Sequence, residues 1–304
     1  MKVLNLVRPK NSDIKYKISA FPDGQQDITL TSWRFTPKIT DIGVNDQIQI
    51  KSRLNSFKDL ELIVCATKAL RRLKVKEIHL YIPYLLGARS DRKFVDGGTS
   101  YLVDVIAPII NAQGYESVTV IDVHSDVAGA CINNLEIIDN SELVKFFIDH
   151  MVGKNNGSYV TPKLISPDGG SLKKIYKLCE KIGIQSEVIV CSKYRDTDGK
   201  LSKTSVPGLN TEPGQKEFVI IDDICDGGRT FIEIAKVILQ DLPKSVYNTK
   251  IHLIVTHGIF SAGFDTISEY FTSVFCTNSV KDINRDTMEL EKTNNFETIQ
   301  MNIF

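Results

Sequence analysis

The segment Phe218-Val-Ile-Ile-Asp-Asp-Ile-Cys-Asp-Gly-Gly-Arg-Thr-Phe231 carries the densest chemistry in the chain. An apolar run of strand type ends in two adjacent carboxylates, Asp222 and Asp223. It then turns through Asp226, Gly227, Gly228 and Arg229 and enters a helix near Thr230. Adjacent carboxylates can accept hydrogen bonds from two neighbouring sugar hydroxyls, and they are costly to bury without a partner. Glycines permit close backbone approach, and the first turn of a helix presents free N–H groups, so such a turn suits a phosphate. The plainer alternative is a solvated turn capped by Asp226 or Thr230.

Ligands of an open parallel sheet gather beyond the carboxyl ends of its strands, so polar residues after the other apolar runs matter equally. After Ile82-Pro83 comes Tyr84-Leu-Leu-Gly-Ala-Arg-Ser-Asp-Arg-Lys93, where Arg89, Arg92 and Lys93 surround Asp91. Three cations around one carboxylate can clamp a polyphosphate while Asp91 holds the fork of a neighbouring arginine. A histidine closes the run Ile121-Asp-Val-His124, and Ser166-Pro-Asp168-Gly-Gly170 has turn composition. Ser192-Lys193-Tyr-Arg195 brings two cations after the run Glu187–Cys191, and Phe21-Pro-Asp23-Gly-Gln25 reads as a hairpin turn.

Short Val- and Ile-rich runs alternate with stretches of helical spacing, the pattern of strand-helix-strand units around a mostly parallel sheet. Leu60, Ile63, Ala66, Leu70 and Leu73 share one helical face, followed by a predicted strand at Glu77–Pro83, a helix from near Thr99 and a strand at Ser117–Asp122. The second half predicts strands at Lys163–Ser166, Glu187–Cys191, Phe218–Ile221 and Ile251–Val255, with helices at Ser171–Lys181 and Phe231–Leu239. Two α/β domains are expected, 1–145 and 146–304, with the boundary near 140–155 and Gly153–Ser158 the most linker-like stretch. Arg195–Gly214 has loop composition, and a loop that long inside a compact domain is usually functional or disordered.

The 304 residues carry 37 acidic and 37 basic side chains, which argues against a mainly electrostatic nucleic-acid binder. Six cysteines, at 65, 131, 179, 191, 225 and 276, are scattered through apolar runs with no zinc-ligand spacing, as expected of reduced core residues. No stretch has the length of a membrane span and the start lacks a signal-peptide run, so a cytoplasmic protein without membrane contact is expected.

The Asp222–Thr230 segment resembles the phosphoribosyl-pyrophosphate signature shared by phosphoribosyltransferases and ribose-phosphate pyrophosphokinases. From about residue 20 to 280 the motifs above fall in the order of the pyrophosphokinase family. Phe21–Gln25 resembles its Phe-x-Asp-Gly-Glu adenine loop, Tyr84–Lys93 its ATP loop, and Ile121–Ser125 its Asp-Leu-His segment. Ser166–Gly170 resembles its Ser-Pro-Asp-x-Gly-Gly, Ser192–Arg195 its catalytic flexible loop, Thr256-His-Gly-Ile-Phe-Ser261 its Thr-His-Gly segment and Thr277-Asn278 a Thr-Asn pair near its carboxyl end. The resemblance implies two similar phosphoribosyltransferase-like (Rossmann-like) domains. The first carries the ATP loops, and the second the ribose-phosphate and flexible loops, with the last residues packing on the first. It implies transfer of the β,γ-diphosphate of ATP to the 1-hydroxyl of ribose 5-phosphate with release of AMP, in nucleotide or NAD metabolism.

Implied roles follow residue by residue. Phe21, Asp23, Gln25, Arg89, Ser90, Asp91 and Arg92 would bind ATP. Lys193, Arg195 and His124 would be catalytic, and His124 with Asp168 would attend Mg²⁺. Asp222, Asp223, Asp226, Gly227, Gly228, Arg229 and Thr230 would hold the ribose and its phosphate. The family's adenine site borrows its Phe-x-Asp-Gly loop from a neighbour, which implies a homo-oligomer, a dimer or hexamer. This sequence departs from the family at Gln25, at Ser90, in its N-terminal segment and above all in the sugar loop, where Gly227 replaces a threonine and Arg229 a glycine. An arginine adds a bidentate donor and needs more room than a nest of small residues. A ribose whose 5-position bears a diphosphate ester, as in ADP-ribose, is therefore the alternative acceptor. A phosphoribosyltransferase or a non-catalytic regulatory relative are the rivals from other classes.

Overall fold

The computed structural model describes residues 1–31, 42–154, 162–184, 188–195, 201–209, 214–243, 245–283 and 296–304. The chain divides into two compact units, Met1–Asp139 together with Phe304, and Asn140–Ile303.

The first unit opens with β1 (Lys2–Asn5), a hairpin of β2 (Lys15–Ala20) and β3 (Gln26–Thr31), then β4 (Gln47–Lys51) and α1 (Phe57–Arg72). It continues through β5 (Glu77–Tyr81), a π-helical turn at Leu102–Ile106 that runs into α2 (Ala107–Asn111), β6 (Ser117–Ile121), α3 (Val127–Cys131) and β7 (Leu135–Ile138). The five-stranded sheet has order β1-β4-β5-β6-β7, and every pairing is parallel. Helix α1 starts at Ser56, whose hydroxyl accepts from the Asp59 N–H while Asp59 returns a bond to the Ser56 N–H, a reciprocal cap. Its buried face is Leu60, Ile63, Ala66, Thr67 and Leu70, set against Ile48, Ile50, Ile78 and Leu80 of the sheet. Leu73 is the C-terminal cap and only partly buried. The helix expected from Thr99 becomes regular only at Leu102.

The second unit comprises α4 (Ser141–Lys154), β8 (Lys163–Ser166), α5 (Gly169–Ile182), β9 (Val188–Val190), β10 (Ser192–Arg195), β11 (Leu201–Ser205), β12 (Gly214–Cys225), α6 (Arg229–Asp241), β13 (Val246–Gly258), α7 (Asp265–Tyr270), β14 (Ser273–Thr277) and β15 (Glu297–Met301). Six strands form a parallel sheet in the order β15-β14-β13-β12-β8-β9. Both its faces are covered, so its strands are apolar throughout rather than alternating. Phe218 and Ile220 pack with Phe231, Ile234 and Ile238 of α6, whereas Val219 and Ile221 pack with Phe147 of α4 and Ile175 and Leu178 of α5.

Several expectations shift. Residues 153 and 154 belong to α4, and 155–161 lie outside the described residues, as do 185–187, so the strand expected from Glu187 is described from Val188. The stretch Arg195–Gly214 is not a single loop. Strand β11 pairs antiparallel with β10, and Val206 and Leu209 are buried in the core beside α6. Of the six cysteines, all free, Cys179, Cys191, Cys225 and Cys276 are buried, and Cys65 and Cys131 are partly exposed. No helix among the described residues is long and apolar enough to cross a membrane.

Candidate active site

In the second unit, strand β12 runs farther than the apolar pattern predicts, carrying Asp222 and Asp223 inside its carboxyl end. The Asp223 N–H donates to Asp222 Oδ1 (3.0 Å), and the Ser171 hydroxyl donates to the same oxygen (3.1 Å). Asp223 is buried. Burial, and then the neighbouring negative charge of Asp223, push the Asp222 carboxyl up to about 7, with a smaller upward push from Asp168. The strand end is thus an acidic pocket whose charge invites hydroxyl donors or a cation.

The turn after β12 leads directly into α6. Gly228 is the residue before the helix, with φ +77°, and an added Cβ would sit 3.0 Å from Ile267 Cδ1. A side chain there would be strained by the backbone and crowded by α7, so glycine is required. The Phe231 and Ile232 N–H groups donate to the Gly228 carbonyl (both 3.0 Å), which closes the first turn. The N-cap position of α6 is held by Gly228, not by Asp226 or Thr230 as the capped-turn alternative has it. Arg229 is exposed at the first helical position, and Asp226 Oδ1 accepts from the Ser261 hydroxyl (2.6 Å).

Asp168 is the N-cap of α5: its Oδ1 accepts from the N–H groups of Gly170 (3.0 Å) and Ser171 (3.2 Å) and lies 3.3 Å from the Ser171 hydroxyl. The Ser171 hydroxyl has one proton to share between Asp168 and Asp222, which links the two motifs physically. Ser171 was not singled out from sequence, although a serine three residues after an aspartate at a helix start is a capping pattern. Lys193 and Arg195 lie on β10, with Lys193 opposite Thr204 of β11, so the cations stand on a two-stranded ribbon. The side chains of Lys193 and Arg195 lie outside the described residues.

In the first unit, Phe21–Gln25 is the tip of the β2–β3 hairpin. The Phe21 N–H donates to the Gln25 carbonyl (2.8 Å) and the Gln25 N–H to Asp23 Oδ1 (3.2 Å). All five tip residues are exposed, Phe21 by half. The segment after β5 is anchored by buried Leu85 and Ala88, and Ser90 fixes it at both ends: its N–H donates to the Gly87 carbonyl and its carbonyl accepts from Leu102 N–H (3.1 Å). Arg89 and Arg92 project outward, Arg92 lying 5.5 Å from the Phe94 ring centre. Lys93 pairs with Asp96 (3.1 Å). Asp91, between the two arginines in the chain, is half-buried. His124 is exposed just after β6, between buried Val123 and half-buried Ser125, whose hydroxyl accepts from Val127 N–H (3.2 Å). Asp122 is buried with φ +42°, a strained conformation at the strand end.

Thr256, His257, Thr277 and Asn278 serve packing and hydrogen bonding inside the second unit. The Thr277 hydroxyl donates to the Thr256 carbonyl (2.7 Å), His257 Nδ1 meets the Ser279 hydroxyl (2.9 Å), and Asn278 Oδ1 accepts from Ile303 N–H (2.9 Å).

The phosphoribosyl transferase domain model matches residues 134–288, which span the second unit's strand end, sugar loop and β10–β11 ribbon. The chain belongs to the phosphoribosyl transferase domain family. Its relatives place it with the ribose-phosphate pyrophosphokinases of that family, transferases by name. The ribose-phosphate pyrophosphokinase of Mycoplasmopsis pulmonis is 26% identical over 250 residues, covering 78% of this chain and 68% of that protein. That of Sulfolobus acidocaldarius is 22% identical over 270 residues, covering 88% and 85%. That of Saccharolobus solfataricus is 26% identical over 247 residues, covering 81% and 78%. The crystal structure of phosphoribosylpyrophosphate synthetase from Mycobacterium smegmatis aligns with a TM-score of 0.73 at 17% identity, covering 96% of this chain and 88% of that one, a likeness of fold.

Proposed function

We propose that this phosphoribosyl transferase family member is an ATP-dependent pyrophosphokinase. It moves the β,γ-diphosphate of ATP to the anomeric hydroxyl of a ribose and releases AMP. The observation that carries the reading is the adjacent carboxylates of half-buried Asp222 and buried Asp223 at the end of β12, followed by a turn that opens into the free N–H groups of α6. Sugar hydroxyls donating to the carboxylates orient the ribose, and the turn Asp226–Thr230 receives its 5-substituent. The anomeric oxygen attacks the β-phosphorus as AMP departs. Catalysis of this kind is positioning and charge neutralisation, with little covalent chemistry asked of the protein.

Mg²⁺ fits the donor set. It takes one or two carboxylates and completes its shell with phosphate oxygens and water, and the raised Asp222 carboxyl marks negative charge that a cation would relieve. Among the described residues no group of three or more His, Cys, Asp or Glu that could hold a metal ion is found. Asp168 would hold Mg²⁺ beside Asp222, and the resemblance gives His124 of the first unit a metal role as well. The bound ion would neutralise phosphate charge. Lys193 and Arg195, on the ribbon, close over the β- and γ-phosphates and limit hydrolysis by excluding water. Arg89, Ser90, Asp91 and Arg92 bind ATP, with Phe21, Asp23 and Gln25 reaching the adenine of a neighbouring copy in a homo-oligomer, either a dimer or a hexamer.

Arg229 favours a second reading of the acceptor. An exposed guanidinium at the head of α6 can bind a diphosphate ester bidentately, so ADP-ribose stands beside ribose 5-phosphate. The test is AMP release from ATP and Mg²⁺ with each acceptor, followed by chromatography and phosphorus NMR of the product. AMP formed only when an acceptor is present, with a new anomeric diphosphate, is the expected result. No AMP with either acceptor overturns the reading in favour of a transferase or a regulatory protein.

A further inference from the structure

We infer that Ser261, on the turn after β13, is a positioning residue for the sugar loop, holding the Asp226 carboxylate away from the incoming 5-substituent. The inference rests on the reading of Asp226–Thr230 as the site of that substituent. Parallel pairing sets Cys225 opposite Gly258, so the turn that follows β13 lies beside the turn that follows β12. The Ile259 and Phe260 N–H groups both donate to the Cys225 carbonyl, at 2.9 and 3.2 Å, tying the second turn to the residue just before Asp226.

The conformation of this strap is enforced. Phe260 is buried with φ +45°, and its ring lies so close to Gly258 that a Cβ there would run into it. The Phe260 carbonyl accepts from Gly263 N–H (3.2 Å) and from Lys281 Nζ (3.3 Å). Ser261 emerges from this fixed point and donates its hydroxyl to Asp226 Oδ1 at 2.6 Å, and Gly227 lies beneath it, where an added Cβ would come 3.8 Å from Ser261 Oγ.

Both partners of the bond are exposed, so water competes for them and the bond contributes little to folding. Its consequence is orientation. A carboxylate at the mouth of a phosphate site repels the dianion it is meant to admit. A short charge-assisted bond to a serine on a rigid strap turns one oxygen aside and offsets part of its charge.

The test is steady-state kinetics of the full chain with ATP, Mg²⁺ and, in parallel, ribose 5-phosphate and ADP-ribose. Ser261→Ala is expected to raise the KM of the acceptor about tenfold, the range of one charge-assisted bond, while kcat and the KM of ATP stay within about twofold. Ser261→Thr, which keeps the hydroxyl, is expected to restore the acceptor KM. In an Asp226→Asn background the alanine substitution should have no further effect, because the charge it controls is gone. An unchanged acceptor KM in Ser261→Ala, failure of threonine to rescue, or persistence of the effect beside Asp226→Asn each overturns the inference. AMP-forming wild type with an indifferent Ser261→Ala refutes the role of Ser261 alone, whereas wild type that forms no AMP refutes the pyrophosphokinase reading itself.

Discussion

Asp222→Asn isolates the acidic strand end. The asparagine keeps an oxygen to accept from Ser171 and the Asp223 N–H but carries no charge. Burial and Asp223 raise the Asp222 carboxyl from 3.8 to about 7, a little over three pH units. At about 1.4 kcal/mol per unit, ionising it in the fold costs up to about 4 kcal/mol. The sign follows from proton counts. Between about pH 4 and 7 the folded carboxyl keeps a proton that the unfolded chain has released, so the wild type loses stability as pH rises through that window. Below it both forms are protonated, and above it both are ionised and the deficit is constant. The asparagine variant should therefore match the wild type near pH 4 and exceed it by up to about 4 kcal/mol at pH 8, measured by urea unfolding followed by circular dichroism. Taking the difference between the two proteins removes every other titrating group. Ribose 5-phosphate with Mg²⁺, which would donate to or neutralise the pair, should narrow the gap at pH 8. A stability difference that stays flat from pH 4 to 8 would refute the account of a strained acidic pair.

Lys193→Ala should lower AMP release by about a hundredfold or more, as expected of a cation acting on transferring phosphates, with the KM of the acceptor nearly unchanged. Arg229→Gly should shift acceptor preference toward ribose 5-phosphate by about tenfold if the guanidinium grips a second phosphate; an unchanged ratio of kcat/KM for the two acceptors would show that it does not. Gly258→Ala should destabilise the chain by about 1–3 kcal/mol in urea, because the added methyl meets a buried ring that the strap cannot move aside.

Where a segment's burial is decided by its own side chains, the sequence made the fold legible. Phe218–Ile221 and Ile251–Val255 are apolar on both faces because helices cover both, and a fully buried parallel strand has no other composition. Where burial is decided elsewhere, the sequence was mute. Strand β15, Glu297–Met301, buries only Ile299 and exists because it pairs with β14. Strand β11 and the stretch after it were hidden by polar composition, with Val206 and Leu209 as their core contribution. The candidate site shows the same division. Asp222 and Asp223 were visible as a local pattern. The Asp168 cap, its bridge through Ser171 and the Ser261 strap join residues far apart in the chain, and only strand register brings them together.

That register explains why these motifs occupy one edge of the second unit's sheet. Strand β12 is flanked by β8 and β13, both parallel to it, with Ile220 opposite Ile165 and Asp222 opposite Val255. Parallel strands end on the same edge. The turn after β8 therefore delivers Asp168 to the acidic pair, and the turn after β13 delivers Ser261 to the sugar loop. Neither placement depends on the loops having any special sequence beyond the residues that fix their backbone. A substitution in either turn can alter the chemistry without disturbing the sheet, whereas shifting β12 by one residue would move Asp222 and Asp223 out of register with both neighbours. For that reason the Asp226→Asn and Ser261→Ala pair is informative. Both lie on turns that the strands hold in place, so any coupling between them reports the bond itself rather than a change in fold.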